Sequence, residues 1–317
     1  MTALAAAAAA ADPLQGRRQP PQRRAANRRV ANRNQTRMSY VFISGYTLLT
    51  IAFGLLPTLY ALFLSVTKEG RFVGLDNFVR VIDDFRFWPA VSHVGVFLVV
   101  WLVALLVLVV FLAVAVHAIG VRWLSSSLRF LYYVPGAIAG ASSVVLWLFV
   151  LDPSVSPVSG LLQLLGFETL VQTVAPANLP AVFAVIAFWS GAGGWIVVVY
   201  GALNNIPTEV MEASRIDGAG AWQTAIHIQL PMLKKWISYM AIMSLAAGTQ
   251  LFVEPKVLSQ ATKGVVPTDY SLNQLAYQYA FKFFDSNGSA AIAVLLLVVS
   301  LGLSIFFVIK GGLFDRD

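Results

Sequence analysis

Six stretches of the chain stay apolar over about twenty residues or more, the length a helix needs to cross the hydrocarbon core of a bilayer. They lie near Tyr40–Val66, Val91–Ile119, Leu128–Leu151, Leu179–Leu203, Trp236–Leu258 and Ser289–Ile309. The pattern predicts an all-α polytopic membrane protein with six transmembrane helices over residues 39–317. Between the fourth and fifth stretches runs a polar interruption, residues 204–235, with helix punctuation of its own. Pro207 suits the first residue of a helix, and Glu209 follows in the first turn, where the positive end of the helix dipole favours an acid. A short helix is therefore expected from about Pro207 to Ile216. Asp217-Gly218 should break it, because glycine accepts positive φ and the Asp217 side chain can cap a second helix. Trp222, Ile226 and Leu230 recur at i+4 on that second helix, which Pro231 either stops or restarts as the next span. The product is a helix-turn-helix lying at a membrane surface.

Composition agrees with the spans. Of 317 residues 58% are hydrophobic and 12% charged, where soluble domains carry about 25% charged residues; the mean hydropathy is +0.74. Having no cysteine, the chain has no disulfide framework, thiol nucleophile or cysteine-held metal. The net charge of +7 comes from one terminal run. Residues 1–38 join an alanine tract to Arg17, Arg18, Arg23, Arg24, Arg28, Arg29, Arg33 and Arg37 among Pro, Gln and Asn. A secretory signal would place its basic residues first. The segment is expected to be a disordered tail that can lie on anionic headgroups. Aromatic interleaving is missing, so nucleic acid is not an expected partner. Lys and Arg in alternate loops number 15 on the side of this tail and 7 on the other. That asymmetry puts both termini and the loop at Glu212 in the cytoplasm; without the tail the count is 7 against 7, so the orientation rests on the tail together with the loop motif.

The loop resembles a known family. Glu212-Ala213-Ser214, Asp217-Gly218-Ala219 and then Ile228-Gln229-Leu230-Pro231 are similar to the cytoplasmic loop of permease subunits in ATP-binding-cassette (ABC) importers. The chain resembles the carbohydrate-type branch that includes the maltose and glycerol-3-phosphate permeases. The likeness extends to Pro57, Ser65, Phe72-Val73-Gly74-Leu75-Asp76-Asn77-Phe78, Arg129, Pro135, Trp147 and Ile206-Pro207, and so to nearly everything after residue 39. It implies that Glu212, Ala213, Ser214, Asp217, Gly218 and Ala219 form a coupling element docked on an ATPase, with Leu230 and Pro231 fixing the return to the membrane. Three positions depart from the usual pattern: Ser214 stands for Ala, Ala225 for Phe and Lys235 for Pro. The partners implied are a second, usually different permease, two copies of the ATPase, which would use ATP and Mg, and an extracytoplasmic solute-binding protein. Carbohydrate-type relatives imply a sugar or sugar derivative as solute.

Candidates for the solute path come from the spans. Trp189-Ser190-Gly191-Ala192-Gly193-Gly194-Trp195 falls at the centre of the fourth span. Glycine interruption there marks either irregular backbone at a transport site or close helix packing by small residues. Trp189, Gly191, Gly194 and Trp195 are taken as candidates. On the fifth span the polar residues are Ser244, Thr249, Gln250 and Glu254, with 250 and 254 on one face of a continuous helix. Such a helix rises about 27 Å from Trp236 to Glu254 and puts the acid near the outer interface, either hydrated there or touching solute. Aromatic rings with amides and hydroxyls suit a sugar.

Catalytic machinery is not expected. The sequence lacks a Gly-Lys dipeptide and therefore a Walker loop, and it lacks His-Glu-x-x-His and Gly-x-Ser-x-Gly. No cofactor or metal is expected on this chain. A secondary carrier or channel working without an ATPase is the alternative; it would usually need a charge pair within a span, and the sequence offers none there.

Overall fold

A computed structural model describes residues 38–310, apart from 41 and 139. The arginine-rich tail therefore lies outside the described residues except for Met38, as does the C-terminal end, 311–317. The elements in chain order are α1 (Met38–Ser65), a hairpin of β1 (Thr67–Lys68) and β2 (Arg71–Phe72), α2 (Asp76–Ile82), α3 (Phe87–His117), α4 (Arg122–Ala137), α5 (Ala141–Leu151), α6 (Ser159–Leu164), α7 (Leu170–Thr173) and α8 (Leu179–Leu203). Then follow α9 (Thr208–Ile216), α10 (Ala221–Gly248), α11 (Val253–Ala261), α12 (Leu272–Phe281) and α13 (Ser286–Lys310). Among the described residues, α1, α3, α8 and α13 are each long and apolar enough to cross a membrane; the number is six if each of the bent pairs α4–α5 and α10–α11 is one span. The chain divides after Tyr60 into two units. The first is helical where described, with a π turn over Ile51–Leu55.

In the second unit, α3 and α8 pack along their length, and α4 lies against α8. Phe97, Trp101, Leu105 and Val109 form an i+4 stripe on α3, buried with Phe183, Ile186, Ile196 and Val199 of α8. Glycine lets α4 and α8 meet. A Cβ on Gly193 would overlap the Tyr132 carbonyl of α4, and one on Gly136 would stand 2.9 Å from the Ser190 carbonyl of α8. α8 runs unbroken through Trp189–Trp195. Of the two readings open for these glycines, Gly193 follows close packing.

The breaks fall elsewhere. The third stretch is not a straight crossing: α4 and α5 meet at 105°, where Pro135 lacks an N–H and Gly140 takes φ 65°. The fifth bends by 43° between α10 and α11. Gln250 and Glu254 thus do not share the face of one helix, and the 27 Å rise does not apply. At Pro231 the helix passes through without stopping. The chain widens into a π turn over Ala225–Gln229, with the Leu230 N–H bonded to the Ala225 carbonyl five residues back. This registers the missing proline donor at the end of the wide turn. Four short helices between the apolar stretches, α2, α6, α7 and α12, are not marked by the hydrophobic pattern. Two of them carry capping boxes, Thr169 with Gln172 and Ser271 with Gln274.

A polar collar ties the loop after α1 to the α12–α13 turn. The Thr67 carbonyl accepts from Asn77 Nδ2 at 2.9 Å and from Asn287 Nδ2 at 2.6 Å; Asn77 also donates to the Ser65 carbonyl and Asn287 to the Leu64 carbonyl. Arg86 donates to both oxygens of Asp84, at 2.9 and 2.6 Å, and to Gln278 Oε1, while Tyr279 donates to Asp84 at 2.7 Å. The Arg86 hydrogen bonds hold the Asp84 carboxyl well below the usual carboxylate range. Burial and the neighbouring Asp84 push the Tyr279 hydroxyl up to about 12.

Gly193→Ala should lower the temperature at which the detergent-solubilised complex loses its monodisperse gel-filtration peak, by an overpacking cost of about 1–3 kcal/mol. Gly194→Ala, with open space around its Cα, should be neutral or slightly stabilising in the same assay. Asp84→Asn should cost about 1–3 kcal/mol at neutral pH, because Arg86 loses its partner. A folded pKa below the unfolded one gives stability that is present above pH ~4 and lost as pH falls towards the folded value. The wild-type advantage in thermal unfolding should therefore hold from pH 8 to 6 and shrink below about pH 4.

Candidate functional site

The polar loop folds as two helices joined by a glycine-centred turn. Pro207 is the cap of α9, with extended backbone (ψ 137°), and the helix begins at Thr208, one residue after the expected start. At the other end Gly218 takes φ 76°. The Ala219 N–H bonds to the Ser214 carbonyl at 2.9 Å and the Gly218 N–H to the Arg215 carbonyl at 3.1 Å. Those two bonds make a Schellman closure, which needs a left-handed residue at the position of Gly218. Asp217 ends α9 and does not cap the next helix. Gly220 begins α10 instead, with Gln223 Oε1 accepting from the Gly220 N–H at 2.9 Å.

The closure sorts the coupling candidates by face. Glu212, Ala213, Asp217 and Gly218 are exposed, and Ala219 is half-buried. Ser214 is buried, its hydroxyl donating to the Met211 carbonyl at 2.8 Å, so a polar group sits at a small inward position without an unmet bond. Leu230 is exposed and Pro231 follows it within α10. Two further residues belong to this surface. Ile216 is 86% exposed and Trp222 71% exposed, more apolar area than a loop helix needs to show to water. Their signal in the sequence was an apolar residue on each side of Asp217-Gly218. Behind the turn, the C-terminal half of α3 and the start of α10 enclose a cavity of about 1080 Å³. Ala225, which replaces a common Phe of the resembled pattern, is among its walls.

The solute-path candidates separate into two groups. Trp189 meets Trp147 of α5 edge-to-face at 5.9 Å, and Trp195 meets Tyr239 of α10 at 5.8 Å. Six residues apart on one helix, the two tryptophans serve different faces of α8. Gly191 and Gly194 are exposed, with open space where a Cβ would stand. The second group surrounds the break between α10 and α11. Ser244 is buried, and its Oγ has no hydrogen-bond partner among the described residues. Thr249 bonds to the Ala246 carbonyl and to Ser300 Oγ of α13, both at 2.8 Å, and its own carbonyl accepts from Asn273 Nδ2 at 3.2 Å. Gln250 is exposed in the break, and Glu254 is half-buried in the first turn of α11. Irregular backbone inside a span thus sits beside Gln250, and α8 keeps its helix. Among the described residues no cluster of three or more His, Asp or Glu side chains could hold a metal ion.

A family profile described as the inner membrane component of binding-protein-dependent transport systems matches residues 110–311. The probable ABC transporter permease protein YurN of Bacillus subtilis is 26% identical over 284 residues, 87% of this chain and 96% of that protein. The multiple sugar-binding transport system permease protein MsmF of Streptococcus mutans is 27% identical, covering 82% of this chain and 90% of its own. The sn-glycerol-3-phosphate transport system permease protein UgpA of Escherichia coli is 28% identical, covering 84% and 92%. Among solved structures, a chain of a bacterial ABC transporter involved in the import of the acidic polysaccharide alginate superposes with a TM-score of 0.74 at 18% identity, over 91% of this chain and all of that one. At such identity the likeness is one of fold. With the profile spanning more than half its length, the chain belongs to the family of binding-protein-dependent transport system inner membrane components.

Proposed function

We propose that this chain is one of two permeases in an ABC importer for a sugar or sugar derivative. An extracytoplasmic binding protein delivers the solute, and two copies of an ATPase docked on α9 and its turn drive the transport. The observation that carries the reading is the Schellman-closed helix Thr208–Ile216, set between two spans with Ile216 exposed beside Glu212 and Asp217. Family membership supports it, as do the sugar and glycerol-3-phosphate systems of MsmF and UgpA. A second alginate-transporter structure, of TM-score 0.73, is in complex with an alginate pentasaccharide-bound periplasmic protein, which supports the binding-protein partner. ATP and Mg belong to the ATPase, and this chain is not an enzyme. In this reading the loop and both chain ends face the cytoplasm of a bacterial cell, and six spans cross its inner membrane.

ATP would favour the outward-facing state through the docked turns, because a ligand shifts an equilibrium only by its differential affinity for the two states. The alternative, a carrier or channel without an ATPase, gains less support. The ion pairs among the described residues, Arg80–Asp285 at 2.5 Å and Arg86–Asp84 at 2.6 Å, lie outside the spans.

Gly218→Val should leave the chain inserted and assembled yet uncouple it. A β-branched residue in the left-handed region strains the docking turn by about 1–2 kcal/mol, enough to lower binding-protein-stimulated ATP turnover and uptake roughly tenfold. Normal uptake would remove the docking assignment. The absence of cysteine gives an orientation test: in a Glu209→Cys variant, a membrane-impermeant maleimide should label inside-out vesicles and not intact spheroplasts. Mild solubilisation should bring the ATPase down with the chain, and nucleotide-independent uptake by the chain alone would favour the carrier.

A further inference from the structure

The cavity behind the docking turn has a composition that the transport reading does not use. At about 1080 Å³ it is at or above the upper end of ordinary small-ligand clefts, about 300–1,000 Å³. One wall is the face of α3 that carries Val107, Val110, Phe111 and Val114; the opposite wall includes Trp222, Ala225 and Ile237. Arg215 is the permanently charged residue in its lining, and no carboxylate lines it. The Arg215 side chain is exposed and makes no ion pair among the described residues.

The cavity also has a direction. On α3 it extends from Leu106 to the helix end at His117, a rise of about 17 Å along a helix, and on to the loop at Gly120. One leaflet of hydrocarbon is about 15 Å thick, so the cavity covers that depth and continues into the headgroup layer. Arg215, in the last turn of α9, and the 71% exposed Trp222, in the first turn of α10, belong to the polar loop between the spans, and a cation and an indole ring are favoured at a bilayer surface. Leu106 and Ile237 lie at the deep end.

From these features we propose that the cavity seats one phospholipid of the cytoplasmic leaflet with an anionic headgroup. Its acyl chain would lie along α3 and its phosphate against Arg215, whose planar guanidinium suits two phosphate oxygens. A basic residue above an apolar cleft between helices on the cytoplasmic side is the arrangement that selects anionic lipid. Ser214 and Ala219, which close the docking turn, line the same cavity as the α3 wall. A bound lipid therefore touches the surface through which an ATPase would act. The proposal rests on the cytoplasmic placement of the loop, which the maleimide experiment reads separately.

The test uses the full complex in nanodiscs of equal parts phosphatidylglycerol and phosphatidylcholine, with p-benzoylphenylalanine at Val107, an exposed cavity residue, or at Phe149 of α5, exposed elsewhere. After irradiation, intact-mass spectrometry reads the adduct. At Val107 the ratio of phosphatidylglycerol to phosphatidylcholine adducts should exceed that at Phe149 by about fivefold, the gain expected from one well-placed arginine. Arg215→Gln should return it to the Phe149 value, and Ala225→Phe, which fills the cavity, should suppress the Val107 adduct. A Val107 adduct with the partner permease or the ATPase would overturn the proposal, and so would lipid adducts of bulk composition. Neither readout requires transport, so the result is separable from the importer reading.

Discussion

A peptide group left unpaired in hydrocarbon costs several kcal/mol, so a membrane helix can leave its regular path only where other atoms meet its backbone. Each irregularity in this chain answers that constraint in its own way. At Pro231 the missing donor falls at the end of a π turn, where the Leu230 N–H reaches five residues back. At Thr249 the helix opens, and Asn273 supplies the lost donor to the Thr249 carbonyl. Where α4 turns into α5, Gly140 takes a backbone conformation that few other residues adopt. In α8 the glycines cause no irregularity and instead admit the backbone of α4.

The same constraint explains what was legible beforehand. Spans announce themselves by composition, and the six apolar stretches correspond to four helices and two bent pairs. The loop was legible because its closure depends on local chemistry: Gly218 and the apolar residues around it specify a helix end that any reader of φ can anticipate. Bends were not, because Pro135 or Pro231 is compatible with a kink, a break or a wide turn, and neighbouring helices choose among them. Nor could Gly193 be told from Gly191 or Gly194 without knowing that Tyr132 lies across from it. The box Ser271-x-x-Gln274 is a local helix-start signature for α12.

The polar collar illustrates a different limit. Phe72 to Phe78 resembles the first outer loop of carbohydrate permeases, and its physical role emerges only in three dimensions, where Asn77 and Asn287, 210 positions apart, converge on the Thr67 carbonyl. Asp84 and Arg86 are two residues apart in the chain, and packing against Tyr279 and Phe283 makes them a fixed pair. Side-chain amides that satisfy distant carbonyls leave no periodic trace in a sequence.

Because α10 continues through Pro231, the helix that follows the Gly218 turn and the fifth apolar stretch form one helix of 28 residues, Ala221–Gly248, about 42 Å long. Rods transmit angle without loss. A tilt of about 5° at the Trp222 end would carry the Gly248 end through roughly 4 Å, more than the length of a hydrogen bond. In that geometry the displacement falls where the helix opens beside Gln250, between α10 and α11.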